Sequence, residues 1–166
     1  MGRIWVGVVW VLTLSCARGP GTLSGDLVGQ PFVVQQAQLT GSAHLLNFEI
    51  EDKLTKCEEK LKSGRRVRVV LRSATDIPQP GTYELTDAGV QGVSVDRLVT
   101  DNNCQEDVPL PALEADVELV QVNVDPRVDL FEADLRVRLV FHDGEVLQGS
   151  VHGTRCRGRG AYCEAN

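Results

Sequence analysis

Between Phe131 and Phe141 the chain alternates without a break: Phe131, Ala133, Leu135, Val137, Leu139 and Phe141 are apolar, and Glu132, Asp134, Arg136 and Arg138 stand between them. A period of two over eleven residues means a strand with one face in a core and the other in water. Shorter runs repeat it. Val67, Val69 and Leu71 point one way and Arg66, Arg68 and Arg72 the other, and His44, Leu46, Phe48 and Ile50 share a face within a strand at 43–51. Further strands are expected from Tyr83 and Leu85 and over Val93–Thr100. Thr22–Leu27 and Phe32–Leu39 read as a first hairpin around a turn at Val28–Pro31.

Turn chemistry punctuates these runs. Gly41 and Ser42 separate two of them, and Pro80–Gly81 suits the centre of a type II turn, proline fixing the first φ and glycine accepting a positive second one. Asp143–Gly144 is the dipeptide favoured by mirror-image hairpin turns, so Glu145–Gly153 should run back along the preceding strand. In Val117–Val124 the apolar set shifts phase by one residue, from Val117 and Leu119 to Val120, Val122 and Val124, which a β-bulge would absorb. One segment breaks the pattern. Leu54, Cys57 and Leu61 follow helical spacing, with Asp52 as N-cap and Gly64 as stop, which predicts a short helix over Asp52–Ser63 with the Glu58–Lys62 pair on its solvated face. The sum is an all-β fold: an antiparallel β-sandwich or open barrel of about eight or nine strands with one short helix.

The N-terminus is a different kind of segment. Arg3 precedes an apolar run of eleven residues, Ile4–Leu14, and Ser15 and Cys16 follow it. The run falls short of the roughly 20 residues a membrane span needs, and it has the charged head, apolar middle and small residue of a removable export signal. The expected organisation is a signal peptide at 1–15, a flexible tether at 16–25 rich in Gly and Pro, and a single β-domain at 26–166. Without residues 1–15 only Arg3 is lost from 17 basic and 23 acidic residues, so the net charge goes from −6 to −7. That balance argues against nucleic acid as a partner.

Cysteine usage agrees with export. Beyond Cys16 there are four, Cys57, Cys104, Cys156 and Cys163, an even number that fits two disulfides in an oxidising compartment. Three connectivities are open; loop closure leans toward Cys156 with Cys163, which leaves Cys57 with Cys104. No Cys-x-x-Cys or Cys-x-x-His spacing is present, so zinc is not expected.

Candidate chemistry is sparse. Ser150 and His152 share a strand face, with Asp143 on the preceding turn, but no Gly-x-Ser-x-Gly elbow accompanies them. His44, His142 and His152 lack metal-ligand spacing. The oxygen-bearing groups Asp101, Asn103, Glu106, Asp107 and Asp125, Asp129, Glu132, Asp134 do not fit a calcium-loop pattern. Arg155, Arg157 and Arg159 form a basic cluster in the tail, most simply an exposed end. No catalytic residue, metal or cofactor is expected.

Leu12, Thr13, Leu14, Ser15 and Cys16 resemble the lipobox of bacterial lipoproteins, with Thr13 where most lipoboxes carry leucine. The resemblance implies acylation of Cys16 as residue one of the mature chain. With Ala17 rather than aspartate next, it implies delivery to the outer membrane of a Gram-negative envelope. Phe141, Asp143, Gly144, Gly149 and Cys156, together with the Gly25–Phe32 opening, resemble the small β-domains of uncharacterised lipoproteins of myxobacterial type, a group with no catalytic residues to carry over. The expected role is a membrane-anchored binding or interaction module of the cell envelope, its ligand an unknown envelope or extracellular molecule; the alternative is an envelope hydrolase.

Overall fold

The computed structural model describes residues 19–53, 64–87, 91–101, 105–125 and 130–155. These form ten strands: β1 Gly21–Leu27, β2 Gln30–Pro31, β3 Gln36–Ser42, β4 Leu45–Glu51, β5 Gly64–Arg72, β6 Gly81–Tyr83, β7 Gly92–Thr100, β8 Leu110–Asp125, β9 Leu130–Phe141 and β10 Val146–Arg155. No helix occurs among the described residues. The body of the expected helix at 52–63 lies outside them, as do Cys16, Cys57, Cys104, Cys156 and Cys163.

Seven strands close a barrel in the order β9-β10-β3-β4-β5-β7-β8 and back to β9. The closure is made by short contacts at two corners. β10 meets β3 in parallel only at Thr154↔Gln38 and Arg155↔Leu39, and β7 meets β8 only at Asp96↔Pro111 and Arg97↔Leu110. Where those contacts stop, other strands take the free edges. β1 lies along β10 from Gly21↔Val151 to Gly25↔Leu147, and β6 lies along β8 at 81–83. A five-stranded sheet, β1-β10-β9-β8-β6, therefore forms one wall.

Alternation sets the core. Every odd-numbered residue from Phe131 to Phe141 is buried, as are Leu46, Phe48, Ile50, Val67, Val69 and Leu71. The β1–β10 ladder adds a device that periodicity does not show: each inward pair joins a glycine to a large aliphatic residue, Gly21 to Val151, Gly149 to Leu23 and Gly25 to Leu147. A Cβ on Gly149, at φ 148°, would lie 2.0 Å from the Thr22 carbonyl oxygen, so the two backbones approach as only glycine permits.

The bulge sits where the phase change put it, with the register jumping between Leu119 and Gln121, and a second irregularity lies between Ala112 and Glu114. The mirror-image turn, however, is at Val28–Gly29, both with positive φ (57° and 65°). At the β9–β10 hairpin the Gly144 N–H donates to the Phe141 carbonyl at 2.9 Å, and only Gly144 has positive φ. This is a type I turn with a glycine bulge, which leaves His142 and Asp143 in ordinary conformations. Gly41 and Ser42 belong to β3, and the chain turns at Ala43–His44 instead. Gly81 has φ 152° and opens β6 rather than centring a type II turn.

The first hairpin is short. β1 pairs with β2 through Asp26↔Pro31 and Leu27↔Gln30, while β3 leaves it to pair with β4 and β10. Because β1 begins at Gly21, residues 21–25 belong to the sheet rather than to a tether. Arg66 does point outward, but it is buried, bridging Glu49 at 3.2 Å and Glu106. Asp52, expected to cap a helix, binds the N–H and guanidinium of Arg65.

Candidate functional site

The outward residues of the five-stranded wall fall into transverse rows because the register aligns them. One row is Thr22, Ser150, Arg136, Glu118 and Thr82, taken across β1, β10, β9, β8 and β6. The next is Ser24, Gln148, Arg138 and Asp116. A third, toward the β10 terminus, is His152, Asp134 and Gln121. The first two rows line an open groove of about 700 Å³. A recess of about 470 Å³ continues it past Ser150 and Arg136 to His152.

Hydroxyls, amides and paired charges make up these rows. Arg136 donates to Glu118, and Arg138 lies 3.6 Å from Glu114 and 3.8 Å from Asp116. His152 Nδ1 is 2.7 Å from Asp134 Oδ1, with both side chains partly shielded. The exposed arginine pairs add little stability. They do cancel charge across the groove, so the surface suits a hydrogen-bonding ligand without a strong net charge.

The serine–histidine–carboxylate arrangement is not the one expected. Asp143 binds Arg97 at the far hairpin, and that guanidinium's hydrogen bond holds its carboxyl below the usual range. The carboxylate beside His152 is Asp134, directly across the strand pair. Sequence reading missed this partner, although the hairpin turn fixes the β9–β10 register and could have given it. The contributions of β1 and β6 could not have been found that way, since they depend on closure of the barrel.

Other candidates disperse. Asp101 Oδ1 accepts from the Gln105 N–H at 2.8 Å, and Glu106 binds Arg66; Asn103 and Asp129 lie outside the described residues. Among the described residues no group of three His, Cys, Asp or Glu side chains could hold a metal. His44 and His142 are exposed in turns. Arg155 ends β10, while Arg157 and Arg159 lie outside the described residues. No family model, curated protein or solved structure matches the chain.

Proposed function

We propose that this chain is a lipid-anchored binding module of the cell envelope, held to the outer membrane through Cys16 and recognising its ligand with the grooved outer face of the wall β1-β10-β9-β8-β6. The observation that carries the binding role is the groove of about 700 Å³, whose rows offer donors and acceptors from five adjacent strands. The lipobox-like sequence supports the anchor.

The test is a pull-down from detergent-solubilised envelopes with Cys16 intact, comparing the native chain with an Arg136→Ala, Gln148→Ala double variant. Capture of one envelope component by the native chain and its loss with the variant supports the reading; equal capture by both sinks the assigned face. The anchor is tested separately. Trp5 and Trp10 are the only tryptophans and both precede Cys16, so mature protein should show tyrosine emission alone and partition into detergent. Tryptophan emission would mean a retained segment, and aqueous partition would mean secretion without lipid.

A hydrolase is the second reading, favoured by the 2.7 Å contact of His152 with Asp134 on the face that also carries Ser150. It predicts labelling by a fluorophosphonate probe that is lost in Ser150→Ala. An unlabelled native protein excludes a serine nucleophile there.

A further inference from the structure

The anchor and the groove are close together, and this rests on the lipoprotein reading above. β1 starts at Gly21, and the Pro20 carbonyl already accepts a hydrogen bond from the His152 N–H at 3.0 Å. Five residue steps separate Cys16 from Gly21. Fully extended they span about 17 Å, at a maximum of roughly 3.5 Å each. The headgroup layer takes up roughly 5–7 Å of that reach, since it adds about 10–15 Å to a hydrocarbon core of about 30 Å over two faces. The β10-terminal end of the wall is thus held within about 10 Å of the headgroups.

What that end presents is suited to them. Gly19 and Gly21 line the recess together with His152, Asp134, Arg136 and Val120. Val120, the extra residue of the bulge, is 44% exposed. Arg136 beside Glu118 sets a cation next to an anion, and the hydrogen-bonded pair of His152 and Asp134 lies in the adjoining row, which matches a surface of alternating phosphate and ammonium better than one of phosphate alone. We propose that the His152 end of this wall docks on zwitterionic phospholipid headgroups of the membrane that carries the anchor, so that the groove opens at the bilayer surface.

The test uses the acylated full-length mature protein, isotope-labelled, on vesicles of phosphatidylethanolamine and phosphatidylcholine doped with a headgroup nitroxide lipid. Amides of Gly21, Val120, Asp134 and His152 should relax at least five-fold faster than those of Asp143 and Gly144 at the opposite hairpin. A His152→Glu, Arg136→Glu variant with an unchanged amide fingerprint should lose at least half of that contrast. Replacing the zwitterionic lipids with phosphatidylglycerol should also reduce it, because the mature chain carries a formal charge of −7, the −6 of the full chain less Arg3. Equal relaxation at both ends of an acylated protein overturns the docking and leaves the anchor standing. A contrast that grows on phosphatidylglycerol overturns the zwitterionic assignment, and one unmoved by the double variant overturns the role of His152 and Arg136. Envelope protein without acyl chains overturns both docking and anchor.

Discussion

Arg65 and Asp52 hold each other twice: the Arg65 N–H donates to Asp52 Oδ1 at 2.9 Å, and its Nε donates to Oδ2 at 2.8 Å. The same guanidinium donates to the carbonyls of Leu27, Gln30 and Pro31 and lies over the Phe32 ring at 5.8 Å. One side chain thereby fastens the β1–β2 hairpin to β5. Arg65→Met should cost about 2–4 kcal/mol, since it removes the charged partner of a shielded carboxylate and the donor to the part-buried Leu27 carbonyl. Arg65→Lys should recover less than half, because an ammonium lacks the planar fork. Chemical denaturation of both variants measures this, and full recovery by lysine would show that only charge matters here.

The same hairpin contains a strained residue. Val28 sits at φ 57° and is exposed, a conformation that β-branched side chains rarely adopt. Val28→Asn should stabilise the fold by roughly 0.5–1 kcal/mol, as asparagine tolerates this region. A lower melting temperature would mean that the valine makes a compensating contact.

Glycines at two positions should respond very unequally. Gly149→Ala places a Cβ 2.0 Å from the Thr22 carbonyl oxygen and should cost about 3 kcal/mol or more. Gly144 at φ 83° faces open space, and Gly144→Asn should cost about 1 kcal/mol or less. Thermal unfolding separates the two; similar losses would contradict the close approach of β1 to β10.

Register in β9 gives a third contrast. Leu135 is fully buried, whereas Arg136 is exposed beside Glu118. Leu135→Asp should cost several kcal/mol or prevent folding, through lost burial and an unpaired charge, and Arg136→Asp about 1 kcal/mol or less. Equal effects would show the register wrong.

Acid should loosen the far hairpin. The hydrogen bond from Arg97 depresses the Asp143 carboxyl below its ordinary value. A depressed folded-state value contributes stability above the unfolded value of about 3.9, and that contribution is lost as pH falls through the folded one. In Arg97→Gln the Asp143 titration, followed by NMR, should move up, and the stability gap to the native chain should narrow in acid. A gap independent of pH would assign the role of Arg97 to its contact with the Phe141 ring rather than to its carboxylate partners.

Side-chain period is a local property of a strand, and the inward residues of β4, β5 and β9 were therefore legible from the chain alone, as was the bulge at Val120, a slip of one residue in that same period. The all-β class followed from them. Burial of Arg66 was not legible, because alternation says which face a residue takes but not whether Glu106, forty residues away, will cover that face. Turn type at Asp143–Gly144 was misjudged since the dipeptide fits two hairpin loops, and strand twist on both sides decides between them. Closure of the barrel through two corner contacts, the glycine–aliphatic pairing of β1 with β10 and the rows that form the groove depend on long-range register. Register between distant strands is set by the best simultaneous packing of the whole core, so only the tertiary structure brings Thr22, Ser150, Arg136 and Glu118 into one line.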